Sequence, residues 1–330
     1  MRGWIRNRIR TLRLFYKPDC RELYRRHLAD PWRALLFPVA GDGNFVFRDG
    51  TSLWLPPRYF GMLSTACRLK ELGAEMEWSH DEMCVRFRDF RFFAPPDTKL
   101  APLSLQSFLV EDVWRTGRTD LKGKTLLDVG AHVGFFSVVC AKRGATVHAF
   151  EPFPLFQEFI RRNAMENGVA DRVIIHGVGL ADRDRSVDSA EFLECMASQT
   201  HGSWKRGGEV PQVSLVDSVR YLERHGIGPV HFLKLNCEGC EYPLLQDTRF
   251  LEWLRPRFIS LEYHDGGSLL FGILDRAGYE VQWGSDDPEQ RARRKGKMFA
   301  TRREGEEPPP PVADSSPAPN PVAGGPFPLR

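Results

Sequence analysis

The sequence predicts an α/β protein built on a doubly wound, mostly parallel sheet. Between residues 125 and 301, short apolar runs alternate with segments whose apolar residues recur at helical spacing. The run Thr125–Val129 lacks polar alternation, as is typical of a central parallel strand covered by helices on both faces. Gly130 and Gly134 follow it, and glycine allows a strand to turn sharply into a helix.

Composition bounds the class of protein. The chain has 330 residues, of which 42% are hydrophobic, enough for a large buried core in one or two domains. The formal net charge of +3 gives no general argument for binding nucleic acid, so we predict no specific nucleic-acid partner. No window reaches the roughly 20 apolar residues that span a bilayer, and the N-terminus lacks a signal-peptide pattern. We expect a cytoplasmic protein.

The cysteines support a reducing compartment. The seven cysteines, at positions 20, 67, 84, 140, 195, 237 and 240, are scattered and odd in number, so we expect free thiols. The sequence Cys237-Glu-Gly-Cys240 has the spacing of a redox or zinc motif. A metal site needs further ligands, and no second cysteine pair lies nearby. We therefore predict neither a disulfide nor a metal there.

Two regions precede the main domain. In the first, residues 1–36, the segment 1–17 carries five arginines among aromatic and aliphatic residues. It predicts a basic amphipathic helix that either packs on the body or lies on an anionic membrane surface, which would make the protein membrane-peripheral. The second, residues 37–100, has short alternating segments, a hairpin signal at Asp49-Gly50 and a helical pattern over 59–72. Together they predict a small α+β region.

The main domain is predicted over residues 101–302. A helix over 103–118 leads into the first strand, and 182–213 is polar and irregular. The segments 279–283 and 297–301 can pair as an antiparallel terminal hairpin. The remaining predicted strands are 125–129, 145–150, 173–178, 231–235 and 258–263, and the predicted helices begin near 133 or cover 155–167, 214–226, 244–254 and 269–277. Residues 303–330 are rich in proline, glycine and alanine and are predicted to be a disordered tail.

The first strand and its turn predict a nucleoside cofactor site. A dinucleotide-binding turn has the pattern G-x-G-x-x-G, but this chain has only Gly130 and Gly134. Asp128 would repel a pyrophosphate and suits a cationic amino-acid ligand. Glu151, at the tip of the second strand, can accept hydrogen bonds from ribose hydroxyls. We therefore favour S-adenosylmethionine over NAD(P), whose use by an oxidoreductase is the alternative.

Several motifs occur in order at the predicted strand ends. Asp128-Val-Gly-Ala-His-Val-Gly134 is followed by Glu151-Pro152, by Lys234-Leu-Asn-Cys-Glu-Gly-Cys-Glu241 and by Glu262-Tyr-His264. This series resembles the FkbM family of S-adenosylmethionine-dependent methyltransferases over roughly residues 108–264. The resemblance implies a class I methyltransferase (Rossmann-like) fold and transfer of a methyl group to oxygen, on a sugar, glycan or polyketide-derived small molecule.

The resemblance also implies a set of cofactor-binding residues. Residues of the first turn would contact the amino-acid half of the cofactor, Glu151 the ribose, and the loop around Val178 the adenine. The residues in the first turn are Asp128, Gly130, Ala131, His132 and Gly134. The family usually has aspartate at the position of Asn236, whose amide can still orient the methionine amino group or the acceptor. That departure keeps open a catalytically degenerate fold that acts as an interaction module.

Three residues are candidates for a general base. Glu238, Glu262 and His264 are all predicted near strand ends, and His264 is preferred because an imidazole has its pKa near neutral pH. Glu241 opens a helix, where a carboxylate is stabilised by the helix dipole. We assign no metal ligands. The sequence leaves the oligomeric state and the acceptor undetermined.

Overall fold

The computed structural model describes residues 18–34, 43–55, 63–78, 82–95, 111–188, 212–285 and 294–303. Its elements follow in chain order. They are α1 (Pro18–His27), β1 (Asn44–Val46), β2 (Ser52–Trp54), α2 (Leu63–Glu71), β3 (Glu75–Trp78), β4 (Met83–Phe87), β5 (Phe90–Ala94), β6 (Thr125–Val129), α3 (Phe135–Lys142), β7 (Thr146–Phe150), α4 (Pro154–Glu166), β8 (Val173–His176), β9 (Gly179–Ala181), β10 (Arg185–Asp188), β11 (Gln212–Asp217), α5 (Ser218–Arg224), β12 (Phe232–Leu235), α6 (Glu241–Gln246), α7 (Thr248–Leu254), β13 (Phe258–Tyr263), α8 (Ser268–Arg276), β14 (Tyr279–Trp283) and β15 (Gly296–Arg302).

A seven-stranded sheet forms the centre of the main domain, in the order β8-β7-β6-β12-β13-β15-β14. The pairings β6–β7, β7–β8, β6–β12 and β12–β13 are parallel, and β15 runs antiparallel to both β13 and β14. The order turns outward on either side of β6, as it does in a doubly wound sheet. The predicted fold class, including its antiparallel terminal hairpin, is confirmed.

The N-terminal strands pack against the main domain. β1 pairs with β2 around the Asp49-Gly50 turn, and β3, β4 and β5 form an antiparallel sheet. The buried side chain of Asn163, on α4, accepts a hydrogen bond from the Phe93 amide at 2.7 Å and donates to the Phe93 carbonyl at 2.9 Å. It also donates to the Val133 carbonyl at 2.7 Å, which ties both regions to the start of α3.

Several predicted elements need correction. Residues 214–217, predicted as helix, belong to β11, and only Ser218–Arg224 is helical. The alternation of buried Val213 and Leu215 is a strand pattern that the following helix concealed. Residues 111–115 form turns and Thr116–Arg118 a 3₁₀ turn, so the helix predicted over 103–118 does not extend this far. The helix predicted over 244–254 is split at Asp247, which caps α7 by accepting from the Arg249 amide.

Some predictions fall on residues outside the described ranges. These are the basic segment 1–17, most of the polar segment 182–213 and the tail beyond Arg303. The expected membrane contact, domain limits and disorder therefore remain predictions. None of the helices within the described ranges is both long enough and apolar enough to span a bilayer.

Gly130 is required by close packing at the turn after β6. Its φ is 77°, and a Cβ placed there would lie 2.0 Å from the carbonyl oxygen of Asn236. The amides of Gly130 and Ala131 both donate to the Phe150 carbonyl at 3.0 Å. The turn is thus held between the ends of β7 and β12, with no room for a side chain.

We predict that Gly130→Ala costs clearly more stability than Gly123→Ala. Both glycines have positive φ, but a Cβ at Gly123 meets nothing within 4 Å. The control therefore measures the backbone penalty alone, about 1 to 2 kcal/mol, whereas Gly130→Ala adds a clash with main-chain atoms. Urea unfolding of both variants checks this, and equal losses would contradict it.

Candidate active site

A cavity of about 320 Å³ opens at the carboxyl ends of β6, β7 and β12. The strands β9, β10 and β11 cover it from one side, and the loop between β12 and α6 closes the other. Its lining residues are Val129, Gly130, His132, Phe150, Glu151, Pro152, Phe153, Gly179, Leu180, Ala181, Arg185, Val187, Leu215, Asn236, Cys237, Glu238, Gly239, Cys240 and Pro243. Ligands bind at this edge of open α/β sheets.

A buried ion pair lies beneath the cavity. Lys234 Nζ lies 2.8 Å from Asp128 Oδ1, and the side chains are 4% and 0% exposed. The two residues are register partners on β12 and β6, which brings them to the same face of the sheet. Ser137 Oγ donates to Asp128 Oδ2 at 2.6 Å, and Lys234 Nζ donates to the Gly130 carbonyl at 2.7 Å. The ammonium group therefore joins the pair to the glycine turn.

Glu151 supplies a buried carboxylate to the cavity wall. Its Oε2 accepts from the His132 amide at 2.8 Å and its Oε1 from the Phe153 amide at 3.1 Å. Burial raises the pKa of Glu151 to about 8 despite these two hydrogen bonds. The raised pKa favours the neutral form of the carboxyl group, which suits a hydrogen bond with a neutral hydroxyl group.

His132 lies in the same wall with φ of 54°, and its ring is 4.1 Å from that of Phe156 between centroids. Burial, together with the charge of Lys234, lowers the pKa of His132 to about 3, so the ring is neutral. Its Nε2 is buried without a hydrogen-bond partner among the described residues. Buried polar atoms nearly always have a hydrogen-bond partner, so this nitrogen marks a position where a bound group or a water is needed.

Glu238, Glu241 and His264 form a connected charged cluster beside the cavity. Glu241 is fully buried; its Oε2 accepts from the Gly239 amide at 2.9 Å, and its Oε1 lies 2.9 Å from His264 Nδ1. His264 Nε2 lies 3.4 Å from Glu238 Oε1, and Lys295 Nζ lies 3.4 Å from Glu238 Oε2. Glu238 has φ of 54°, a strained conformation for this residue that is common at functional sites.

This cluster changes the expected role of His264. Burial alone would lower its pKa, but the hydrogen bonds and charges of Glu238 and Glu241 raise it to about 9. Burial acts to raise the pKa of Glu238, yet His264 and Lys295 outweigh it and the pKa is lowered. The two shifts favour an imidazolium at His264 beside a carboxylate at Glu238 at neutral pH.

The structure brings together only part of the predicted site. Gly130, His132, Glu151, Asn236 and Glu238 line the cavity. Five other predicted residues lie behind or beside it: Asp128 pairs with Lys234, Ala131 is buried in the turn, Gly134 begins α3 against Ile160, Val178 precedes β9, and His264 contacts Glu238. Glu262 is not among the lining residues, and its Oε2 lies 4.0 Å from Lys297 Nζ.

Sequence reasoning missed two features of the site. Lys234 received no role, although a charged residue inside the apolar run Phe232–Leu235 must be paired when buried. The expectation of no disulfide was wrong: Cys237 and Cys240 are joined, with their Cα atoms 5.5 Å apart. The turn at Glu238 and Gly239, which both have positive φ, brings the two cysteines together.

The strand order and the cavity define the class of protein. The sheet is parallel except for β15, which is inserted between β13 and β14 and runs antiparallel to both. With a ligand cavity at the ends of β6, β7 and β12, this is a class I methyltransferase fold. Residues 128–281 match the family described as the methyltransferase FkbM domain. This match confirms the FkbM resemblance that the motifs predicted.

Several known methyltransferases are similar to parts of this chain. A curated relative, the 31-O-demethyl-FK506 methyltransferase FkbM of Streptomyces tacrolimicus, is 27% identical in an alignment 176 residues long that covers 43% of this chain and 66% of the relative. The chain thus spans just under two thirds of that relative. A crystal structure of a methyltransferase FkbM from Methylobacillus flagellatus is 15% identical, covering 86% of this chain and 58% of the other, with a TM-score of 0.40. The SAM-bound magnesium protoporphyrin IX methyltransferase of Synechocystis is 12% identical, covering 61% and 81%, with a TM-score of 0.36.

S-adenosylmethionine is the cofactor of this domain. The residues present fit it. The buried carboxyl of Glu151 would take the ribose hydroxyls, and the unpartnered Nε2 of His132 leaves a polar position in the same wall. Gly130 leaves the turn without a side chain, and Phe150 and Leu180 add apolar surface to the cavity.

We predict that Lys234→Met destabilises the protein by about 3 to 5 kcal/mol, because it leaves the buried carboxylate of Asp128 uncompensated. The double variant Asp128→Asn with Lys234→Met removes both charges and should recover part of that loss. Denaturant unfolding of the two single variants and the double variant measures the coupling. Additive losses would contradict a direct interaction.

We predict that His264 makes stability depend on pH between about 6.5 and 9. Its folded-state pKa is raised above the ordinary value of 6.5 to about 9. Its contribution is therefore complete below pH 6.5 and is lost as the pH rises through 9, with a slope of at most about 1.4 kcal/mol per pH unit. Unfolding free energies of the wild type and His264→Gln across this range should converge at high pH, and parallel curves would refute the prediction.

Proposed function

We propose that the protein transfers a methyl group from S-adenosylmethionine to a hydroxyl oxygen of a small molecule or glycan. The observation that carries this proposal is that two carboxyl groups line the same cavity. Glu151 lies on the β7 side and Glu238 on the β12 side. The first is buried and suited to hydroxyls, and the second is ionised and held by cations. The match of residues 128–281 to the methyltransferase FkbM domain supports the methyl-transfer chemistry.

When bound, S-adenosylmethionine supplies a methyl group already activated by its sulfonium. The protein then has to orient the acceptor oxygen in line with that methyl group and exclude water. The apolar walls of the cavity, among them Phe150, Leu180 and Val187, serve the second task.

Glu238 is our candidate for the group that takes the proton from the acceptor hydroxyl. It lines the cavity, whereas His264 lies behind it. The imidazolium of His264 and the ammonium of Lys295 hold the Glu238 carboxylate in place. His264 is thus a positioning residue in this proposal. Glu262, which pairs with Lys297 and does not line the cavity, has no part in it.

Asn236 tests the alternative of a degenerate fold. Its backbone amide donates to the Val129 carbonyl at 3.0 Å, and the residue lines the cavity beside Glu238. Its side-chain amide has both a donor and an acceptor, so it can orient an amino group or an acceptor without a charge. Cofactor binding without turnover on a broad panel of hydroxylated acceptors would favour the interaction module.

We predict that Glu151→Gln weakens binding of S-adenosylhomocysteine by roughly tenfold, because a donor NH2 group replaces one of the two carboxyl oxygens, both of which accept hydrogen bonds. Glu223→Gln, on the exposed face of α5, is the matched control and should bind as the wild type does. Isothermal titration measures both. No binding by the wild type, or tight binding of NAD(P) instead, would overturn the cofactor and favour the oxidoreductase alternative.

We predict that Glu238→Gln lowers kcat by about 10²- to 10⁴-fold, the usual worth of a general base, while cofactor affinity changes little. Glu262→Gln serves as the control and should keep wild-type turnover. Methyl transfer from labelled S-adenosylmethionine to macrolide, monosaccharide and glycan acceptors provides the assay. Unchanged turnover in Glu238→Gln would remove this residue from the mechanism, and labelled product on nitrogen would remove O-methylation.

A further inference from the structure

The disulfide between Cys237 and Cys240 is part of the cavity wall. Both cysteines line the cavity and are half-buried. The four other cysteines of the described ranges, Cys20, Cys67, Cys84 and Cys140, are free and buried. Among described cysteines, the bonded pair is therefore the one that a dissolved reductant can reach through the cavity. Accessible disulfides of C-x-x-C spacing are the labile kind, unlike buried structural ones.

The disulfide is coupled to the proton-accepting side of the site. It closes a loop that contains only Glu238 and Gly239, whose φ angles are 54° and 119°. The Gly239 amide donates to Glu241 Oε2, and Glu241 Oε1 accepts from the His264 amide. The sulfur of Cys237 lies 3.6 Å from Glu241 Oε2. The state of the sulfur atoms therefore acts on the same carboxylate that positions the loop and His264.

We propose that Cys237 and Cys240 form a reversible redox site whose disulfide state keeps the cavity wall in its binding geometry. The proposal rests on the proposed function, since it regulates that cavity. A dithiol reductant is the reaction partner: its thiolate attacks one cysteine sulfur, which forms a mixed disulfide and releases the other cysteine as a thiolate. Its second thiolate then attacks its own sulfur in the mixed disulfide and releases the first cysteine. Two electrons and two protons pass to the cysteines, and the reductant leaves as its own disulfide.

Reduction changes the contacts of Glu241. Two thiols replace the bond, and the Cys237 thiol becomes a hydrogen-bond donor beside Glu241 Oε2, in competition with the Gly239 amide. The covalent restraint on the left-handed Glu238 and Gly239 is removed at the same time. The loop then samples other conformations in which Glu238 and Asn236 no longer line the cavity together, and cofactor affinity falls.

Thermodynamic linkage makes the proposal testable from both directions. If reduction weakens S-adenosylhomocysteine binding, then S-adenosylhomocysteine must make the disulfide harder to reduce by the same factor. We expect an effect on the order of tenfold. For a two-electron couple, a tenfold difference shifts the midpoint potential by about 30 mV.

The experiment uses the full chain equilibrated in ratios of oxidised to reduced dithiothreitol. Alkylation and mass spectrometry of the peptide that contains Cys237 and Cys240 give the reduced fraction, with and without saturating S-adenosylhomocysteine. Isothermal titration gives the affinity of each state. In the double variant Cys237→Ser with Cys240→Ser, affinity should resemble that of the reduced wild type and should not respond to dithiothreitol.

The outcomes separate this proposal from the proposed function. A potential near −120 to −270 mV, the range of redox-active C-x-x-C proteins, with a ligand-dependent shift supports the redox site. Equal affinity in both states, or absence of the bond after oxidation, overturns it. If neither state binds S-adenosylhomocysteine, the methyl-transfer function is overturned, and hydrogen exchange of residues 236–241 then tests the redox site. Exchange that depends on the redox state supports the redox site, whereas unchanged exchange overturns it as well.

Discussion

The buried pair of Asp128 and Lys234 is the interaction on which the site depends. Two charges placed between central strands cost several kcal/mol in lost hydration, and close pairing with extra hydrogen bonds is what offsets that cost. Ser137 supplies one of those bonds from α3, and the Gly130 carbonyl accepts another. The pair thus connects β6, β12, α3 and the cofactor turn. A shift of any of them would expose an uncompensated charge to an apolar interior.

The two ends of the cavity differ in how their carboxyl groups are controlled. Glu151 is surrounded by backbone donors and apolar residues, and burial dominates, so its pKa rises. Glu238 has cations within 3.4 Å, and their charges prevail over burial. When the surroundings shift the pKa values of two carboxyl groups in opposite directions, the two groups can perform different tasks in the same site. Here one carboxyl suits hydroxyl recognition and the other remains ionised.

Sequence patterns were most informative where burial alone decides structure. Thr125–Val129 and Phe258–Tyr263 have the predicted bounds, because an apolar run in a central strand has no other stable location. Prediction was wrong for residues 214–217, where alternation and helical spacing overlap. It was incomplete at Lys234, and it was wrong about the Cys237–Cys240 bond, because both depend on which residues meet across the fold. Spacing alone does not reveal that Glu238 and Gly239 adopt positive φ and bring the sulfur atoms together.

The direction of β15 decides where the chain leaves the domain. Because β15 runs antiparallel to β13, its Gly296 end lies beside Tyr263 near the site, while Thr301 lies beside Phe258 at the opposite edge of the sheet. The strand therefore delivers Lys295 to Glu238 at its start and finishes, at Arg302, on the far side from the cavity. An affinity tag or a fused protein attached directly after Arg303 would therefore begin at the edge of the sheet opposite the cavity.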